Sequence, residues 1–321
     1  MGSPKDTYNS MVLASTQKIL TPWKIQAVQG FMAGAYVALG ALFANRVEAQ
    51  FAASEFQVFG SLLGGMVFPV GLIAIFLTGA NLYTGNCMYV VPPLISGVFA
   101  GSGSDVEVKS KMHVRIRAIL YLLFSWFCNY VGAWFTVYFI AYLGDWTSDK
   151  YTKSFVMANA VKKCNLDWGV AVMRGVGANW LVCLAWWQAL SATDTFSRMA
   201  AVWLPVFTFT AIGFEHSIAN MFYIQIGWIH GADITFFGVF FRNLLPVTLG
   251  NFLGGAVFLG LVPYMSYTHP THTTKTTSNI NTRRDNLYEN DDNDTDGSLT
   301  DVSLLVSSEE KTQRLQRTRV N

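Results

Sequence analysis

The stretch TAIGFEHSIANMF, residues 210–222, sets Glu215 and His216 side by side in a segment that is otherwise almost free of charge. From 200 to 229 these two are the only side chains that titrate near or below neutral pH. Ionisable groups inside a membrane-length apolar segment are expensive, and they mark a cavity or a proton pathway.

The surrounding chain is built for a bilayer. Of its 321 residues 52% are hydrophobic and only 13% charged, which excludes an ordinary soluble domain. The apolar material falls in blocks near 25–45, 57–101, 115–143, 168–192, 200–232 and 236–267. Each reaches the roughly 20 residues that cross a hydrocarbon core. They predict an all-α integral membrane protein with six transmembrane helices, the second and fifth interrupted. Residues 1–24 contain no continuous apolar core and read as a cytoplasmic N-terminal segment, 25–267 as the membrane transport domain. Residues 268–321, rich in Thr, Ser, Asn and both signs of charge, read as a disordered cytoplasmic tail. Lys5, Lys18, Lys24, Lys111, Arg115, Arg117 and Arg198 all fall on one side of such a topology. The excess of basic residues in cytoplasmic loops therefore predicts a multi-pass protein with both termini inside, and the plasma membrane is its expected location. The basic run near 109–117 reads as an anchor to anionic lipid rather than a nucleic-acid patch. Cys87, Cys128, Cys164 and Cys183 have no metal or redox spacing and read as packing residues.

The two halves of the apolar region resemble each other. GFMAGAYVALGALF (30–43) in span one matches RGVGANWLVCLAWW (174–187) in span four, both rich in small residues that let helices approach closely. CNYVGAWF (128–135) in span three matches GNFLGGAVF (250–258) in span six. FPVGLIAIFLTGANLYTGN (68–86) then corresponds to LPVFTFTAIGFEHSIAN (204–220), each with a proline well before a Gly-containing polar loop that ends in Asn. Three spans per half put the halves in the membrane with opposite orientation, so the two polar loops meet near the midplane. Irregular backbone at that depth is tolerated only where it is enclosed by protein or lines a cavity.

The segments GANLYTGN (79–86), GFEHSIAN (213–220) and RNLLPVTLGNFLGGAVFLG (242–260) resemble the signature segments of the formate/nitrite transporter family. The resemblance covers about residues 18–267. It implies an aquaporin-like six-helix fold, a 3+3 inverted repeat, and a homopentamer with a pore for small monovalent anions in each subunit. YTGN and AVKKCN (160–165) are most similar to the eukaryotic branch that moves lactate together with a proton. Carried over by position, the resemblance implies Thr84 and His216 as the central polar pair. Phe68, Leu72 and Phe209 take the hydrophobic constrictions, Lys163 a vestibule, and Lys18 the opposite mouth. Asn81 stands where the family commonly has Asp, and Tyr83 and Leu72 where it often has Phe. A leucine at a constriction would admit a larger acid.

The chemistry that such a set performs follows from solvation. A carboxylate in the bilayer centre costs several kcal/mol, whereas the neutral acid of the same size is much cheaper. Lysines at the mouths would gather the anion, the apolar rings would exclude water and bare ions, and Thr84 would offer a hydroxyl. His216 either lends its own proton or stays neutral while water protonates the anion in the vestibule. Adjacent helical residues point about 100° apart, so Glu215 is expected to face away from the pore and to hydrogen-bond the backbone of the opposite loop. Arg174 reads as a satisfied or snorkelling charge. Asn81 reads as structural, and Asn86, Asn220, Asn129 and Asn251 as interhelical hydrogen bonders.

The expected function is proton-coupled transport of lactate, formate and related acids, with no cofactor, no metal and no enzyme activity. An anion channel without proton coupling is the alternative. An aquaporin-type pore would carry paired Asn-Pro-Ala segments and an ammonium channel two facing pore histidines; neither is present. A membrane enzyme would need a ligand cluster or a carboxylate pair, which a lone His with a Thr does not supply.

Overall fold

The computed structural model of the chain describes residues 2–52, 54–100 and 110–268. Almost the whole of the expected tail lies outside the described residues. Six helical segments within them are long and apolar enough to cross a membrane: Trp23–Phe51, Gln57–Thr78, Lys111–Tyr142, Trp168–Ser191, Thr195–Ile212 and Phe236–Tyr267. No strand occurs among the described residues. Large apolar side chains such as Val58, Phe59, Leu123, Phe127 and Leu204 are exposed on the outside of the bundle, while Asn129, Asn179, Asn243 and Asn251 are fully buried. This inverts the soluble pattern, as lipid requires.

Before the first span, α1 (Pro4–Leu20) starts at a capping box between Ser3 and Asp6. Its Tyr8, Met11 and Ile19 pack into the buried core. Span one is α2 (Trp23–Phe51). Span two comes in pieces: α3 (Gln57–Val67) and α4 (Val70–Thr78), then α5 (Tyr83–Tyr89) and α6 (Val91–Ser96). Span three is α7 (Lys111–Phe135), running on into a π-helical stretch over Thr136–Tyr142. A helix that the composition did not announce, α8 (Lys150–Cys164), caps one end of the bundle, and span four is α9 (Trp168–Ser191). Span five is α10 (Thr195–Ile212) followed by α11 (Ser217–Ile229). Pro205 lies inside unbroken α10, whereas Pro69 separates α3 from α4. Span six is assembled from α12 (Phe236–Gly238), α13 (Leu245–Gly255) and α14 (Val262–Tyr267), linked by π-helical turns.

The inverted repeat is visible atom by atom at the two breaks. Gly79 (φ +71°) and Gly213 (φ +80°) each end a half-helix in the left-handed conformation that side chains other than glycine disfavour. The chain then runs extended, through Leu82 in one half and His216 in the other, before α5 and α11 begin. In the first half Asn129 Nδ2 donates to the Gly30 and Asn81 carbonyls, and its Oδ1 accepts from the Tyr83 amide. In the second half Asn251 does the same for the Gly175 and Glu215 carbonyls and the Ser217 amide. One buried asparagine therefore satisfies the orphaned backbone of each break, which lipid would leave unpaired.

The helices that carry these asparagines sit very close to their partners. A Cβ on Gly34 or Gly132 would strike the backbone of Asn129 or Phe31, and one on Gly250 or Gly254 that of Val172 or Val176. At one end Tyr8 of α1 packs on Tyr267 of α14, their rings 5.9 Å apart, so both ends of the membrane part share a face. Since the described residues already enclose both breaks, deleting residues 275–321 is expected to leave flux per molecule within about twofold of the full chain. Lost flux at unchanged surface abundance would contradict this.

Candidate transport site

The site grows from the second break. α10 ends in a glycine cap in which the Gly213 and Phe214 amides still donate to the Thr210 and Phe209 carbonyls, and the next amide, that of Glu215, donates to the Arg174 carbonyl of α9 at 3.4 Å. His216 then serves as the N-cap of α11, its Nδ1 accepting the Ala219 amide at 3.1 Å. The other ring nitrogen, Nε2, lies 2.9 Å from Thr84 Oγ1 of α5. The inverted halves thus meet at Thr84 and His216, both essentially fully buried.

These contacts decide the tautomer. Nδ1 accepts from a backbone N–H, so the ring proton of a neutral imidazole sits on Nε2 and is donated to Thr84 Oγ1. The Thr84 hydroxyl proton is left to point onward. A second proton on His216 would set an Nδ1–H against the Ala219 N–H, two donors face to face. The frame therefore favours the neutral ring.

Phe209 stacks on His216 with ring centroids 5.7 Å apart, and Phe68 meets Phe209 edge-on at 5.9 Å. Both rings are buried and, together with His216, line a vestibule of about 350 Å³. Leu72, one helical turn beyond Phe68, is buried but does not line this vestibule. The walls carry Glu48, Lys162, Lys163, Arg174 and Glu215. Three cations against two carboxylates leave the cavity with one positive charge in excess when all five are ionised.

Lys163 is placed there by α8. Asp149 caps that helix through the Thr152 amide, and Ala160 and Val156 seat it on Gly227 of α11. The Thr152 amide, aided by Arg46, holds the Asp149 carboxyl down at about 2. Lys163 Nζ contacts both Glu215 oxygens, at 3.0 and 3.1 Å, and lies over the Tyr223 ring. Both members of the pair are largely buried. Glu215 also accepts from Asn220 Nδ2 at 2.6 Å. The expected bond from the Glu215 side chain to the opposite loop is therefore absent: its oxygens turn to Lys163 and Asn220 of their own half. The extended backbone at 214–216 makes the helical 100° argument inapplicable and allows both neighbours to face the vestibule.

In the first half the Glu215 position is taken by Asn81, whose Oδ1 accepts from Asn86 Nδ2 and from Tyr121 Oη. Lys18 belongs to neither the vestibule nor this network. It lies half-buried on α1 with Nζ over the Tyr89 ring, and burial lowers its ammonium to about 8.

Several participants escaped the sequence reading. Asn179 Nδ2 donates to the Thr84 and Asn251 carbonyls, tying the two breaks together. Asn243 bridges Asn220 Nδ2 and the Lys163 carbonyl. The signal for Asn179 was the buried-face register of α9, where it follows Gly175 by one turn. Arg174 borders the vestibule half-buried, and among the described residues its guanidinium has no hydrogen bond or ion pair, which fits a snorkelling charge and not a satisfied one.

Residues 5–265 match the family model described as Formate/nitrite transporter. A probable formate transporter of Methanothermobacter thermautotrophicus is 38% identical over 281 residues, covering 83% of this chain and 97% of its own. Among solved structures, an FNT family ion channel superposes with a TM-score of 0.67 at 29% identity, covering 81% of this chain and 98% of its own. A pentameric formate channel with formate bound superposes with a TM-score of 0.61 at 25% identity, covering 84% of this chain and all of its own.

Proposed function

We propose, the chain being a member of the formate/nitrite transporter family, that it carries small monocarboxylates, lactate and formate among them, across a membrane as neutral acids, each with one proton. The observation that carries this reading is the pairing of His216 Nε2, at the wall of a vestibule with excess positive charge, with the fully buried Thr84 Oγ1, beside the rings of Phe209 and Phe68.

An anion enters the vestibule because of its excess positive charge. There it takes a proton from hydronium supplied by the external medium, leaving water, since Phe68 and Phe209 form a dry barrier that a charged carboxylate crosses only at a cost of several kcal/mol. The neutral acid passes the rings and meets the onward-pointing Thr84 hydroxyl. His216 holds that hydroxyl by donating from Nε2 and stays neutral throughout. The Lys163–Glu215 pair sits beside this point with no net charge of its own. Five such subunits would form the assembly, as in the pentameric formate channel to which this fold is similar.

The test is uptake of radiolabelled lactate and formate into vesicles holding the purified protein, with and without an inward proton gradient. Transient accumulation above equilibrium is expected only with the gradient. Equal initial rates and no accumulation under either condition would favour the uncoupled anion channel.

A further inference from the structure

We propose that Arg174 is the group that captures the substrate anion at the mouth of the vestibule. The inference deepens the transport reading above and rests on it for the direction of entry. The cation that the resemblance placed in this role, Lys163, is already committed: its Nζ holds both oxygens of Glu215. An anion arriving at Lys163 has to compete with a carboxylate already seated there. Lys162 is exposed at the rim. Glu48 subtracts from the field rather than adding to it. Arg174 is the remaining cation of the wall, half-buried, and its guanidinium has no hydrogen bond or ion pair among the described residues.

Its position suits capture. Arg174 lines two cavities at once, the vestibule and a shallow open groove shared with Gly169, Val170, Met173 and Phe214. The residue is anchored by its backbone, whose carbonyl accepts the Glu215 amide, and it borders both the open groove and the vestibule. A guanidinium offers two parallel N–H donors that match the two oxygens of a carboxylate or of nitrite. Such a fork recognises the ionised acid, the form that predominates at neutral pH. Release comes first: pairing with the guanidinium favours the ionised carboxylate, so the anion takes up its proton from hydronium in the vestibule after it leaves Arg174, and the neutral acid, which pairs poorly with a guanidinium, moves on toward Phe68 and Phe209.

The inverted repeat adds an asymmetry. The matching residue of the first half is Gln29, whose carbonyl accepts the Asn81 amide as that of Arg174 accepts the Glu215 amide. The capture site therefore belongs to one mouth of the pore, with no charged counterpart at the symmetry-related position.

The experiment is a comparison of initial uptake rates against lactate and formate concentration in vesicles of fixed pH gradient. Arg174→Gln is expected to raise KM roughly tenfold for both acids with Vmax within about twofold of wild type. Arg174→Lys, which keeps the charge but loses the two-pronged donor, is expected to raise KM about threefold. Lys153→Gln removes the same charge from α8 outside the vestibule lining and is expected to leave KM unchanged. Unchanged KM in Arg174→Gln, or a shift matched by Lys153→Gln, overturns the proposal. So does a loss of Vmax at constant KM, which would mark Arg174 as a support of the break. Should Arg174→Gln fail to assemble by size-exclusion chromatography, the KM of Arg174→Lys decides, and an unchanged value overturns capture. The pH dependence of wild-type flux is read separately. A pH-independent wild type with a KM shift in Arg174→Gln would reject proton coupling and retain capture, and the converse would do the reverse.

Discussion

Lactate uptake at fixed total concentration is expected to fall about tenfold for each unit of external pH between about 5 and 7, and a His216→Asn variant is expected to keep that slope. A carboxylic acid with a pKa near 3.5–4 loses about nine-tenths of its neutral form per unit above that value. If the two phenyl rings admit only the neutral species, the flux follows its concentration, a change of about 100-fold over two units. The variant separates two sources of the proton. Asparagine is among the best N-cap residues, so its Oδ1 can take over the Ala219 amide that His216 Nδ1 now holds. Its amide nitrogen supplies a donor on the Thr84 side but carries no titratable proton. With protonation from the medium in the vestibule, His216→Asn loses no more than about tenfold in rate, for a longer and weaker contact to Thr84, and the slope survives. Abolished transport at every pH by a correctly assembled variant would mean that the imidazole itself delivers the proton. A wild-type profile flat from about pH 5 to 8 would remove proton coupling altogether.

The parts of this architecture legible in the chain are those that the bilayer dictates locally. Twenty apolar residues make a span, and a Gly-containing polar loop that ends in Asn within a span marks a break, so 79–86 and 213–220 stood out. Repetition made the reading firmer, because Asn86 and Asn220 recur in matched places, and their side chains reach back to Asn81 and Glu215 in the same way. Less legible were contacts between residues far apart in the chain. Nothing near Glu215 announces a lysine 52 residues earlier, and its side-chain direction was misjudged by treating an extended segment as helix. The α8 helix carried a faint signal: Asp149 before Thr152, then Val156, Ala160 and Cys164 at four-residue intervals on a buried face. Its mixed composition hid this. For Arg174 the sequence left two readings open, a satisfied or a snorkelling charge, and the absence of a partner among the described residues favours the second.

Asn251→Ala is expected to be the most damaging single substitution in the membrane domain, cutting the yield of assembled protein at least roughly tenfold. The side chain is fully buried and makes three hydrogen bonds of 2.8–3.0 Å. Gly175 loses little, because a carbonyl within α9 keeps its helical partner. The Glu215 carbonyl and the Ser217 amide belong to the break and have no helical alternative, so both become orphans in the dry interior. At about 1–3 kcal/mol each, their loss takes about 2–6 kcal/mol from a total stability of about 5–15 kcal/mol. Asn129→Ala is expected to behave alike, since it orphans the Asn81 carbonyl and the Tyr83 amide in the first half. Ser217→Ala is the matched control: its buried Oγ has no partner among the described residues, so trimming it leaves the break intact. Thermal unfolding of the detergent-solubilised protein, followed by loss of the assembled peak, reads the difference. An Asn251→Ala protein that assembles in normal yield and melts within a degree or two of Ser217→Ala would mean that the breaks are held by their own backbone geometry. The asparagines would then have to be assigned some role other than satisfying them.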